Sequence, residues 1–261
     1  MPSPYVLYQQ EKGIAFLTFN RPETRNAMTD DMYQTLVEHC ELTDKDQNIK
    51  VLILRGAGGK VFVAGSDVSK FKTSELASVS MEHELYVDKV IQRLETVSKP
   101  TIAQVEGMAL GSGLALVAAC DLCVCTPSSK FGVPIARTLG NCLSVSNHIL
   151  LLELLGQKRL KDLLYTGRLL DAEEALSCGL VTRIADSNLI EDSTKDLACS
   201  IASNAPLTIK ASKETIRRIR QRNQKQTTKE NDLSLMCYSS EDFKEGVEAF
   251  LTKRNPNWKG T

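Results

Sequence analysis

The chain has 261 residues, 42% of them hydrophobic, and its 32 Lys and Arg are balanced by 32 Asp and Glu. That is enough to bury a full core, as one large domain or a domain with an appendage. A formal net charge of zero excludes any global pull toward nucleic acid or an acidic membrane surface, so a charged partner must meet a local patch. No apolar run reaches the ~18 residues of a membrane span, and the start Met-Pro-Ser-Pro-Tyr lacks a basic-then-apolar signal. The eight cysteines lie mostly inside apolar runs, which predicts a reducing, cytoplasmic setting.

In chain order, residues 5–10 and 14–19 alternate as strands around Glu11-Lys12-Gly13. Residues 30–42 have helical spacing, and 51–54 form a further strand. A turn follows in Val61-Phe62-Val63-Ala64-Gly65-Ser66-Asp67-Val68. A long helix over 81–97 precedes Lys99-Pro100 and a strand over 101–105. This alternation predicts an α/β fold whose sheet is parallel in part and buried.

The strand ends at Glu106-Gly107, and Gly111-Ser112-Gly113 opens a short apolar helix with no ionisable side chain at its start. Free backbone N–H groups at such a start suit an oxygen that is gaining negative charge. From residue 144 the strand signal nearly vanishes, leaving helices over 147–155, 160–165, 172–177, 190–203, 206–222 and 241–252. A helical tail that cannot build its own core is expected to pack on the first domain or on a neighbouring subunit. The expected division is a core over 1–200 and a helical oligomerisation domain over 201–261.

Two motifs invite a metal. Cys120-Asp-Leu-Cys123-Val-Cys125 has no second cysteine pair and no nearby histidine, so it reads first as small residues in a packed strand. His83-Glu84-Leu85-Tyr86-Val87 is similar to the start of a zinc-protease motif but lacks the second histidine. The two glycine turns are each weak signals alone. Together, Ser66 and Ser112, 46 positions apart, can offer donors from separate loops to one oxygen.

Those turns sit in a longer series: Phe19-Asn20-Arg21-Pro22, Arg25-Asn26-Ala27, residues 103–113, Asp121, Phe131-Gly132, Tyr165-Thr166-Gly167-Arg168, Ala172, Ala175, Gly179-Leu180-Val181, and Glu245-Gly246, Phe250, Lys253-Arg254. In this order, over residues 5–258, they closely resemble the crotonase (enoyl-CoA hydratase/isomerase) superfamily. The resemblance implies a ClpP/crotonase-like spiral of ββα units, a C-terminal helical trimerisation domain, and homotrimers that often pair into hexamers. It implies an acyl-CoA thioester as substrate, with no permanently bound cofactor and no metal. The backbone N–H groups of Ser66 and Ser112 would form the oxyanion hole. Arg25, Ala27, Ala64, Asp67 and Val68 would hold the coenzyme A, and Met108, Gly111, Pro134, Ile135 and Leu139 would line the substrate site. Phe250 and Lys253 would reach a neighbouring subunit's ligand; Lys253 and Arg254 read equally well as solvated charges.

The series departs from its family where two glutamates activate and deliver water. By count from the flanking motifs those places hold Ala115 and Ile135, or Ala136, none of which transfers protons. Polar candidates nearby are Arg137, Asn141, Ser144 and His148, and, on the preceding helix, His83, Glu84, Tyr86 and Asp88. Ser144 falls where a related dehalogenase carries its nucleophilic aspartate, and reads otherwise as a helix N-cap. His83 and Glu84 read as solvated, and His148 as packed within its helix.

The leading expectation is an acyl-CoA lyase or isomerase, with hydration, isomerisation, decarboxylation and thioester hydrolysis all open. The alternative is a non-catalytic acyl-CoA-binding protein, or an RNA-binding homologue using Lys210, Lys213, Arg217, Arg218, Arg220, Arg222, Lys225 and Lys229 against the single acid Glu214. Such a charge run reads first as a solvated helix face or an inter-subunit surface, so nucleic acid is the lesser expectation.

Overall fold

The computed structural model describes residues 3–70, 76–224 and 231–260. Lys225 and Lys229 of the basic stretch lie outside the described residues.

The chain begins with β1 (Val6–Glu11) and β2 (Ile14–Phe19), a hairpin closed through Lys12 and Gly13, both at positive φ. Next come α1 (Asp30–Lys45), capped by the Thr29 hydroxyl, β3 (Val51–Gly56), β4 (Val61–Val63) and α2 (Leu76–Glu95). Then follow β5 (Thr101–Val105), β6 (Met108–Leu110), α3 (Ser112–Ala119), β7 (Leu122–Cys125) and β8 (Lys130–Gly132). After α4 (Ile135–Thr138) and α5 (Val145–Thr166) come β9 (Leu170–Asp171), α6 (Ala172–Ser177) and β10 (Arg183–Ile184). The chain ends in α7 (Ile190–Ala202), α8 (Pro206–Gln224), α9 (Asn231–Tyr238) and α10 (Glu241–Thr252).

Six strands form one sheet in the order β1-β2-β3-β5-β7-β10, parallel beyond the first hairpin. Four short strands form a second, in the order β4-β6-β8-β9. The period of two along β3 explains how the first sheet is covered on both faces. Val51 and Ile53 pack with Ile14, Phe16 and Ile102 under Ile190, Leu197 and Ala198 of α7. Leu52 and Leu54 face the main core with Met32, Leu36, Val90 and Leu94, from α1 and α2, and Leu116 of α3.

Several elements differ from the sequence reading. The helices expected over 147–155 and 160–165 run as one segment, α5, broken at Gly156, whose φ of 71° and ψ of 159° redirect the chain. The turn expected over 61–68 contains β4, whose three residues are too few for alternation to show. Likewise α9 has no counterpart in the expected helices. The helical tail packs in part on the preceding chain: Tyr238, Phe243 and Val247 form a satellite core with Val68, Met81, Leu139 and Leu251. On α8, by contrast, Leu207, Ile216 and Ile219 stand exposed.

Candidate active site

The two glycine turns meet. β4 and β6 are parallel neighbours, so the chain leaving each runs to the same end of the small sheet. An added Cβ on Gly113 would lie 2.2 Å from the Val63 carbonyl oxygen, and one on Gly111 would lie 3.7 Å from Gly65 Cα. Only glycine lets the start of α3 settle this close to β4.

The backbone bridge beside Ser66 decides where its N–H points. Met28 donates to the Gly65 carbonyl at 2.9 Å and accepts from Asp67 N–H at 2.8 Å. In that pattern the neighbours of Ser66 face Met28 and its own N–H turns the other way. Ser112 is the first residue of α3, after Gly111 as N-cap, so its N–H has no carbonyl in its own helix. Neither amide donates to another group among the described residues.

Behind both serines lies a residue that the sequence reading passed over. Tyr33 of α1 is fully buried, and its hydroxyl lies 2.8 Å from Ser66 Oγ and 2.7 Å from Ser112 Oγ. It sits at helical spacing with Met32, Leu36 and Cys40, and so reads as a core aromatic. The available signal was that a buried phenol needs a polar partner. Burial pushes its ionisation far up, so it stays a neutral hydroxyl at ordinary pH.

On α2, which packs against α1, Glu84 is a half-buried carboxylate held by hydrogen bonds. Glu84 Oε1 accepts from Ser144 N–H at 3.0 Å, and Oε2 from the Tyr238 hydroxyl at 3.0 Å. Asn141 Nδ2 lies 3.2 Å from the same Tyr238 oxygen. Burial, then the charge of Asp88, push the Glu84 carboxyl up to about 7 against those hydrogen bonds. Its charge in turn opposes ionisation of Tyr33, and the ring of its neighbour His83 lies 6.0 Å from that of Tyr33. The solvated reading of His83 and Glu84 is therefore wrong for both, because α1 and α9 pack on α2. His83 is 8% exposed, with Nδ1 3.4 Å from Asp30 Oδ1. Tyr86 packs edge-on against Tyr33.

Ser144 takes the capping role: its Oγ accepts from Asn147 N–H at 3.2 Å and donates to Asp88 Oδ1 at 2.6 Å. Burial raises the Asp88 carboxyl, opposed by that hydroxyl. His148 turns back within α5, its Nδ1 3.0 Å from the Ser144 carbonyl. Replacing Ser144 by alanine is expected to cost about 1 kcal/mol of stability, the usual worth of an N-cap, measured by urea denaturation.

The residues assigned to coenzyme A by resemblance fall into one group and two outliers. The Arg25 carbonyl accepts from Ala64 N–H at 3.2 Å, and Arg21 Nη1 ties the Ala27 carbonyl (2.8 Å) to Asp67 Oδ2 (3.2 Å). Burial works to raise the Asp67 carboxyl, but hydrogen bonds from Ser69 and the Arg21 charge outweigh it and hold it low. Val68 and Leu139 share the satellite core; Met108 is half-buried in β6, Pro134 is the residue before α4 and Ile135 is its first. Ala115 is buried in α3. Phe250 and Lys253 stand exposed at the end of α10.

The other motifs take structural roles. Cys123 and Cys125 are buried in β7, where burial pushes the Cys125 thiol up to about 12 and the Cys123 thiol up as well. In the basic helix, Lys213 bonds Asp121 at 2.6 Å, Arg217 and Arg218 share Glu214, and Arg220 lies 2.6 Å from Glu95. Much of that charge is thus answered within the chain. Among the described residues no helix is long and apolar enough to cross a membrane.

Comparison with known proteins gives this arrangement its setting. The family model described as enoyl-CoA hydratase/isomerase matches residues 9–261. A short-chain-enoyl-CoA hydratase of Clostridium acetobutylicum is 33% identical over 251 residues, covering 95% of each chain. Among solved structures, an enoyl-CoA hydratase/isomerase of Pseudoalteromonas atlantica superposes with a TM-score of 0.84 at 29% identity, over 98% of this chain and 100% of that one. A methylmalonyl-CoA decarboxylase in complex with 2-nitronate-propionyl-CoA superposes with a TM-score of 0.88 at 26% identity, over 98% and 99%. A spiral that brings two glycine turns against one buried phenol is here the crotonase fold, and the chain belongs to the enoyl-CoA hydratase/isomerase family.

Proposed function

We propose that the protein binds an acyl-CoA thioester, stabilises the enolate formed from it with the N–H groups of Ser66 and Ser112, and moves the proton with Glu84. The observation that carries this reading is the convergence of both serines on Tyr33, with the Glu84 carboxyl within electrostatic reach of the same phenol. A carboxyl titrating near 7 holds both protonation states at neutral pH, which suits a group that accepts a proton from the substrate α-carbon and returns it to carbon. Electrons of the broken C–H bond pass to the thioester oxygen, where the two amides meet the charge. Removing one such donor typically costs about 3 kcal/mol of transition-state stabilisation.

Ala115 and Ile135, or Ala136, stand where the resemblance puts the hydratase glutamates, so two-carboxylate water addition is disfavoured. Proton transfer alpha to the thioester, as in isomerisation, or protonation of an enolate left by decarboxylation, is favoured. In this reading Arg25, Ala27, Ala64, Asp67 and Val68 hold the coenzyme, Met108, Gly111, Pro134, Ile135 and Leu139 line the acyl site, and Ser144 holds Glu84 through its N–H. The exposed apolar side chains of α8 support a trimeric or hexameric assembly, in which Phe250 and Lys253 reach a neighbour's ligand; a cytoplasmic setting belongs to the same reading. Enoyl-, malonyl- and β-oxoacyl-CoA thioesters incubated in deuterium oxide are expected to show turnover or deuterium at the α-carbon by mass spectrometry. A panel with neither overturns the reading.

A further inference from the structure

The three hydroxyls behind the proposed oxyanion hole carry three protons, and the geometry accounts for two. A phenol has one proton to give, and the geometry at Ser112 makes Tyr33 the donor in the 2.7 Å contact. Either partner can donate in the 2.8 Å contact with Ser66. With the phenol proton already committed, Ser66 must be the donor there. The order is therefore Ser66 to Tyr33 to Ser112, and it ends on a serine proton with no acceptor among the described residues. Tyr33 is fully buried, so the chain cannot end on it, whereas Ser112 keeps partial exposure.

We propose that the Ser112 hydroxyl is a third hydrogen-bond donor of this site, directed at the anionic oxygen of a bound acyl-CoA enolate, and that Tyr33 is the positioning residue that sets its direction. The proposal rests on the acyl-CoA reading above. Chemistry supports it in two ways. Hydroxyls linked head to tail polarise one another, so the last donor in the row is strengthened. A donor held before the ligand arrives also needs no reorganisation as charge develops. Burial keeps the phenol neutral, so the row persists over ordinary pH. Its ligand class is a thioester whose own oxygen carries negative charge, as in an enolate or in a 2-nitronate conjugated with the carbonyl.

The test is a binding ratio. Calorimetry with 2-nitronate-propionyl-CoA, an anionic mimic, and with propionyl-CoA, its neutral counterpart, gives the preference of the wild type for the anion. Ser112→Ala keeps the backbone amide and removes only the hydroxyl. It is expected to weaken the nitronate about tenfold more than propionyl-CoA, which is about 1.4 kcal/mol. Tyr33→Phe, which leaves Ser112 in place but unanchored, is expected to narrow the preference by a smaller factor, about threefold. Equal weakening of both thioesters in Ser112→Ala, or no change in the ratio, overturns the proposal and leaves the acyl-CoA reading standing. Binding of neither thioester by the wild type removes both.

Discussion

Glu84→Gln is expected to lower kcat by about 10²–10⁴-fold, the usual contribution of a positioned acid–base group, with much less change in KM. It should also remove from the pH–rate profile an ionisation near 7. Glutamine keeps the shape: its Oε1 can still accept from Ser144 N–H, while its Nε2 can donate to the Tyr238 oxygen once that hydroxyl turns, so the site stays filled while the titrating proton is lost. A variant whose profile and kcat match the wild type rules Glu84 out of the chemistry.

The same substitution has a stability signature with a definite sign. Burial and the Asp88 charge raise the folded-state value of Glu84 from 4.5 to about 7. Between these values the folded state binds more protons than the unfolded chain, so this group's contribution is fully present below pH ~4.5 and is lost as pH rises through ~7. Groups facing it include Asp88 on its own helix, the Ser144 amide before α5, Tyr238 of α9 and Cys142. Asp88 is itself raised and pushes the same way, so the informative quantity is a difference. Urea denaturation at pH 5 and pH 8 should show a larger loss for the wild type than for Glu84→Gln.

Gly113→Ala is expected to lower kcat/KM by about 10²-fold, because a displacement near 1 Å at a catalytic constellation costs about that much. The added methyl would stand 2.2 Å from the Val63 carbonyl oxygen and 3.0 Å from its carbonyl carbon. These are backbone atoms, so no rotamer change relieves the contact. Either α3 lifts from β4 or β4 moves. Ser112 begins the first of these elements and Ser66 follows the second, so both routes separate the two donors. Overpacking of this kind also costs about 1–3 kcal/mol of stability. Kinetics normalised to folded protein separate the two effects, and full activity per folded molecule would count against the two-loop hole.

How much of this was legible follows from the range of each signal. The β1–β2 hairpin, α1, β3 and β5 showed in the sequence because period-two and period-3.6 patterns are local. That the two glycine turns could meet also showed, because glycine marks places where chain must approach chain. Short strands did not show: three residues of β4 carry too little alternation. Glu84 was misread for a different reason. Its neighbours His83 and Asp88 make the stretch polar, and its burial comes from α9 and the residues before α5, as much as 154 positions away.

What the sequence determined by itself, then, is the α/β order of elements, the glycines that let two turns close on one another, and a family resemblance that the comparisons bear out. These rest on backbone sterics and on periodic burial, both written within a few residues. Tertiary structure alone decided which polar groups came together. It set a phenol from the apolar face of α1 between two serine hydroxyls and enclosed one carboxylate of α2 until burial outweighed its hydrogen bonds. Desolvation is summed over every element that packs around a group, and no window of the sequence contains that sum.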